Sequence, residues 1–151
     1  MNGERKKIII VVDDSLESLD VLKNILKDLY GVYPCPSGAE LFELMEHIQP
    51  DLILLDVGMP EMNGYQVIKN LKAEAKYREI PVIFLSAMND EQSEMEGLKL
   101  GAVDYIHKPF VTPLLLQRIK IHLSMAGQQK AILERNKEIV EFLKKISGSS
   151  G

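Results

Sequence analysis

The chain has 151 residues, 46% hydrophobic and 26% charged, with a net charge of −4. That balance suits one globular domain with its own core and at most an appendage. Its single cysteine, Cys35, excludes an internal disulfide framework and a cysteine-rich zinc site, and points to a reducing, cytosolic setting.

The first apolar run, residues 8–12, is too short for a signal peptide and stops at Asp13-Asp14. No run approaches membrane-spanning length. This run reads as a strand. Ser15 then offers an N-cap to a helix with Leu19, Leu22, Ile25, Leu26 and Leu29 at helical spacing. Residues 32–35 form a weak second strand, and Pro34 assigns it to a sheet edge. Ser37 offers a cap to a helix carrying Leu41, Leu44, Met45 and Ile48. The third strand spans 51–55, and Asn63-Gly64 forms a turn that starts a helix over 64–74. A fourth strand over 81–85, a helix over 90–100 stopped by Gly101, and a fifth strand over 103–106 follow. From Thr112 the pattern is helical again.

Strands separated by helices of this length predict crossover units and a parallel sheet. Strands one, three and four are apolar throughout, as expected of strands covered on both faces. The fold class is therefore α/β: a doubly wound, five-stranded parallel sheet of order 2-1-3-4-5, flavodoxin-like, with an extended C-terminal helix.

Such sheets bind ligands beyond the C-terminal ends of their strands. There the order places Asp13-Asp14 after strand one, Asp56 after strand three, Ser86 after strand four and Lys108-Pro109 after strand five. Three neighbouring carboxylates repel one another unless a cation sits among them. Oxygen ligands without His or Cys favour Mg²⁺. With such an ion held by Asp13 and Asp14, Asp56, the central acid, becomes the candidate nucleophile toward phosphorus. Lys108 and the Ser86 hydroxyl would stabilise the transferring group. Taken singly, each residue has a plainer reading: N-capping acids, a loop serine, a surface lysine. Their joint placement reverses those readings. His47, His107 and His122 are too scattered for a metal site, and a solvated or packing role fits them better.

Four motifs carry a resemblance to a family. They are Asp13-Asp14, LDVGMPEMNG around Asp56, FLSA ending at Ser86, and GAVDYIHKPF with Tyr105, Lys108 and Pro109. In this order and spacing, over about residues 6–124, the chain closely resembles the receiver domains of two-component response regulators. The resemblance implies that Asp56 accepts phosphate from a histidine kinase's phosphohistidine. It implies that Asp14 and the Gly58 carbonyl join Asp56 on Mg²⁺, and that a cis peptide before Pro109 aims Lys108 into the site. It also implies that Ser86 and Tyr105 form a switch altering the surface of helix four, strand five and helix five. Gly58 departs from the larger side chain common there, and predicts faster loss of the phosphate.

The domain division is 6–124 for the receiver, 125–147 for a helical linker and 148–151 for a flexible tail or cloning scar. The last helix of the domain should end near Leu123, yet helical pattern continues to about Ile146. Met125, Ile132, Ile139 and Ile146 recur seven apart, with Gln129, Asn136 and Leu143 between them. This heptad pattern allows a homodimer through a short coiled coil; a helix folding back on its own domain is the alternative. Gly127 is a hinge or simply an unfavourable helix residue. Residues 112–151 carry seven Lys/Arg and three Glu. Without a basic cluster interleaved with aromatics, they read as a solvated face and not a nucleic-acid surface.

The expected partners are a histidine kinase or phosphotransfer protein and an output domain outside this chain, with no membrane. A phosphatase built on an aspartyl nucleophile would want a second acid where Gly58 stands. A nucleotide-binding sheet would want a glycine-rich phosphate loop, which is absent. A vestigial interaction module would not need all five site residues.

Overall fold

The computed structural model describes residues 5–59, 61–87 and 91–149. Five strands alternate with five helices: β1 (Ile8–Val12), α1 (Leu16–Leu26), β2 (Gly31–Cys35), α2 (Gly38–Met45), β3 (Leu52–Asp56), α3 (Gly64–Ala73), β4 (Val82–Ser86), α4 (Glu91–Lys99), β5 (Asp104–His107) and α5 (Thr112–Ser149). The strands form one parallel sheet of order β2-β1-β3-β4-β5. The expected fold class is the observed one. Pro34 lies on the edge strand, paired only with β1, where a missing N–H breaks no second ladder.

Two apolar layers cover the sheet. Leu19, Leu22 and Leu26 of α1 and Leu115 and Ile119 of α5 pack on one face with Ile9, Val11, Leu54 and Leu85. Leu41 of α2 and Val67, Ile68 and Leu71 of α3 pack on the other with Ile10, Ile53, Leu55 and Phe84. The alternation along β1 and β3 sends successive side chains into opposite layers. Each fully buried Leu or Ile contributes roughly 1.5–3 kcal/mol of transfer free energy.

The helix starts follow local chemistry. Ser15 accepts from the Ser18 N–H and Ser37 from the Glu40 N–H. Asn63 and Gln66 form a reciprocal capping box at the start of α3. Two expected helical positions fall outside their helices. Leu29 is 55% exposed because α1 stops at Leu26, where the N–H groups of Leu29 and Tyr30 both turn back to the Leu26 carbonyl. Ile48 follows α2 in a similar turn on the Leu44 carbonyl.

Strand bounds shift by one residue. Asp51 is not in β3; its carboxylate accepts from the Ile8 N–H at 2.7 Å and its own N–H donates to the Ile8 carbonyl at 2.8 Å. Asp56, by contrast, belongs to the ladder opposite Leu85. Asp90, expected to open the fourth helix, lies outside the described residues, as do Pro60 of the acceptor loop and Ser150-Gly151 of the expected tail. The last helix runs unbroken through Gly127 and past Ile146 to Ser149.

Candidate functional site

At the C-terminal rim of the sheet, β1 delivers Asp13, β3 delivers Asp56 and β4 delivers Ser86. All three are buried, at 0%, 6% and 3% exposure, and they are the buried polar side chains among the described residues. Asp14, one residue past Asp13, faces solvent. Carboxylate oxygens of Asp13, Asp14 and Asp56 lie within 4.8 Å of one another. The Lys108–Pro109 peptide bond is cis, and the Lys108 N–H donates to the Ser86 carbonyl at 2.8 Å, continuing the β4–β5 ladder. Lys108 Nζ stands 2.8 Å from Asp13 Oδ2 and 3.4 Å from Asp56 Oδ1.

Asp13 has two jobs. Its Oδ1 accepts from the Ser15 N–H at 3.0 Å, closing the turn into α1. Its buried Oδ2 meets Lys108 as an ion pair without the alignment of a hydrogen bond. A fully buried carboxylate oxygen beside two other acids, with no His or Cys among them, belongs to a donor set that fits a hard divalent cation. Burial pushes the Asp56 carboxyl above the ordinary aspartate range, and the Asp13 charge pushes it further. Lys108 and the Gly58 backbone N–H pull the other way without cancelling the shift. At Lys108, burial works against the charged form, but the Asp13 and Asp56 carboxylates beside it outweigh burial and leave the ammonium above its usual value.

The loop from Val57 to Asn63 carries Glu61 with φ of 64°, a left-handed turn. Gly58 faces open space: a Cβ there would meet nothing within 4 Å. Gly64 is the opposite case, with the backbone of Asp56 and Val57 standing where its Cβ would point.

Tyr105 is buried, 5% exposed, beneath α4. Its hydroxyl lies 3.1 Å from that of Tyr65 on α3. Phe84 sits between them, with ring centroids 5.5 Å from both. Gly97 makes room for this stack; a Cβ there would fall 2.7 Å from the Phe84 ring and 2.9 Å from the Tyr105 ring. On the other side of β5, Asp104 accepts from Arg118 at 2.9 Å and pairs with His122 at 3.0 Å, while Arg118 also donates to the Tyr105 carbonyl. His107 pairs with Glu94 at 2.5 Å, and His47 is exposed. Thus His122, read as a solvated or packing residue, ties α5 to β5. Tyr65, Gly97 and Arg118 escaped sequence reasoning because no local pattern marks a partner on another element.

A parallel sheet with this acidic rim, a lysine on a cis-proline turn and a buried aromatic beside the fourth strand defines a signal-receiving α/β domain. Residues 9–120 match the family model described as "Response regulator receiver domain", and the chain belongs to that family. It is 38% identical over 128 residues, 85% of its length, to a Vibrio cholerae serotype O1 protein named "Probable cyclic di-GMP phosphodiesterase". The chain spans 29% of that relative's length. Among solved structures, it resembles the signal receiver domain of a histidine kinase from Syntrophus aciditrophicus, with 36% identity, a TM-score of 0.72, and coverage of 78% of this chain and 90% of the other. It also resembles the Francisella response regulator 1452 receiver domain, with 28% identity, a TM-score of 0.73, and coverage of 80% and 98%. Among the described residues, no helix is long and apolar enough to cross a membrane.

Proposed function

We propose that Asp56 is the phosphoacceptor of this receiver domain and that the other rim residues serve that one transfer. The observation that carries this reading is the convergence of Asp13, Asp56 and Lys108 within ion-pair distance at the sheet rim. A carboxylate oxygen of Asp56 attacks the phosphorus of a phosphohistidine. The P–N bond breaks, and its electron pair returns to the donor imidazole. The product is an acyl phosphate on Asp56.

Asp13, Asp14, Asp56 and the Gly58 carbonyl would hold Mg²⁺. When bound, that ion supplies positive charge to the phosphoryl oxygens and relieves repulsion among the acids. Lys108, already 3.4 Å from Asp56 Oδ1, stays close enough to neutralise a phosphoryl oxygen. The Ser86 hydroxyl supplies a neutral donor. The added charge of roughly −1.5 to −2 gives Ser86 and Tyr105 a reason to rearrange. The surface of α4, β5 and α5 carries the change to a partner. The chain is a phosphoacceptor signalling domain and not a turnover enzyme. Its donor is a histidine kinase or phosphotransfer protein. Its output lies in a longer regulator, in keeping with the short span it covers of its curated relative. The receiver is 6–124, the helical linker 125–147, and the setting cytoplasmic.

Incubation with Mg²⁺ and acetyl phosphate, read by intact mass, tests the assignment. One phosphoryl group is expected, absent without Mg²⁺ and absent in Asp56→Asn. Uptake by Asp56→Asn equal to that of the parent would sink it. If hydrolysis outruns detection, binding of a beryllium fluoride mimic distinguishes a short-lived phosphate from an inert site.

Gly58 bears on that lifetime. With nothing within 4 Å of a would-be Cβ, water has an open approach to the acyl phosphate. Gly58→Met should lengthen the phosphate half-life by about tenfold, about 1.4 kcal/mol in the hydrolysis barrier. A half-life unchanged in a chase after removal of acetyl phosphate would show that Gly58 does not set it.

A further inference from the structure

We infer that Tyr65 is a positioning residue for the switch: its hydroxyl holds Tyr105 inward and ties it to the acceptor strand through the first turn of α3. This rests on the reading of Asp56 as the acceptor and Tyr105 as the switch aromatic.

Three rings from three elements form one stack. Phe84 of β4 is fully buried. It meets the Tyr65 ring of α3 edge-on, at 76°, and the Tyr105 ring of β5 at 58°. Stacking of this kind needs only rings. Yet the two phenol oxygens, 40 residues apart in sequence, also meet at 3.1 Å. A tyrosine hydroxyl both donates and accepts, so each can serve the other. A phenol as buried as Tyr105, 5% exposed, has exchanged water for protein partners and is held where those partners stand. Tyr65 is such a partner. Swinging outward, Tyr105 would leave the Tyr65 hydroxyl and the face of Phe84 together.

The position of Tyr65 connects it to the acceptor. It is the second residue of α3. Gly64, the first, brings its backbone so close to the end of β3 that a Cβ would fall 2.6 Å from the Asp56 carbonyl oxygen. The Gly64 N–H donates to the Val57 carbonyl at 3.1 Å, and the Asn63–Gln66 capping box fixes the same turn. Close-packed contacts of this kind transmit displacement with little slack. Movement at the end of β3 therefore carries Tyr65 with it. Tyr105 is thus reached from the acceptor along two routes, from Ser86 on β4 and from Tyr65 on α3. The second needs no phosphoryl group, because both hydroxyls belong to the chain.

The consequence is a bias on the switch. Any group that contacts Tyr105 in one position and not the other shifts the equilibrium between them. One net hydrogen bond corresponds to roughly fivefold in population. The bias extends to α4, since a Cβ at Gly97 would lie 2.7 Å from the Phe84 ring and 2.9 Å from the Tyr105 ring. The ring that Tyr65 holds is part of the floor on which α4 rests.

Fluorine NMR of the full chain labelled with 3-fluorotyrosine tests this. The chain has five tyrosines, and the Tyr105 line is assigned by its loss in Tyr105→Phe. A soluble gadolinium chelate broadens each line according to its exposure. Without Mg²⁺ or any phosphoryl mimic, Tyr65→Phe should raise the broadening of the Tyr105 line by about fivefold. Tyr30→Phe, in the opposite apolar layer, should leave it unchanged. Tyr65→Phe keeps the ring against Phe84, so a role in packing alone predicts no change. Mg²⁺ with beryllium fluoride should then return the Tyr105 line of Tyr65→Phe to the narrow parent value, because charge at Asp56 favours the inward position through Ser86. Equal broadening in Tyr65→Phe and the parent would overturn the role of Tyr65. Broadening that persists once the mimic is bound would overturn Tyr105 as the switch, and the role of Tyr65 with it. The first comparison uses neither metal nor mimic, so it decides on Tyr65 even if Asp56→Asn and the parent take up phosphate alike.

Discussion

Gly64→Ala is expected to cost about 2–3 kcal/mol of stability, at the upper end of overpacking effects, and to impair phosphoryl uptake with it. The added Cβ would stand 2.6 Å from the Asp56 carbonyl oxygen and 2.9 Å from the Val57 Cα. Both are backbone atoms and cannot rotate away. Gly64 is also the first residue of α3, fixed from behind by the Asn63–Gln66 capping box and by its own N–H to the Val57 carbonyl at 3.1 Å. Relief requires α3 to lift or the end of β3 to retreat, and the end of β3 is where Asp56 is held. Denaturant titration should show the loss of stability, and the initial rate of mass gain from acetyl phosphate should fall. Gly58→Ala makes the control, since its Cβ meets nothing. If Gly64→Ala matched Gly58→Ala in both measurements, the close approach of α3 to the acceptor strand would be refuted.

Asp56→Asn should be more thermally stable than the parent at neutral pH without Mg²⁺, although it cannot take phosphate. The sign follows from the carboxyl's raised pKa, caused first by burial and then by the Asp13 charge. A native state that holds this proton more tightly than the unfolded chain loses stability as pH rises from the ordinary aspartate value of about 4 through the raised native one. Above that window the full cost is present, and a neutral amide of the same shape escapes it. Below about pH 4 both states are protonated and the advantage of Asn should vanish. Lys108 keeps Asp13 as a partner at 2.8 Å in either protein. Mg²⁺ should raise the melting temperature of the parent more than that of Asp56→Asn, because the variant lacks one of the three acids. Scanning calorimetry across pH, with and without Mg²⁺, checks both. A parent more stable than the variant at neutral pH without the ion would mean that Lys108 outweighs burial and Asp13 together.

The sequence alone determined the strand and helix order, the edge position of β2 and the identity of the rim residues. These rest on short-range causes. Apolar, β-branched-rich runs of four or five residues between polar turn residues are too short for buried helices and read as covered strands, Pro34 fits an edge strand, and Ser15, Ser37 and Asn63 cap helices within three residues of themselves. The parallel crossovers then bring the strand ends to one rim without further information.

Only the tertiary structure decided how those residues divide their work. The change from the buried Asp13 to the exposed Asp14 happens where strand alternation has ended and no pattern predicts which acid turns inward. That Lys108 lies nearer Asp13 than Asp56 depends on the turn after β5. The Tyr65–Tyr105 contact joins residues 40 positions apart, and the Asp104–Arg118–His122 cluster joins a strand to a helix through side chains to which sequence reading gave no such partnership. Such contacts arise from packing between elements, where side-chain direction and the distance between layers decide the partner, and neither is written in local spacing.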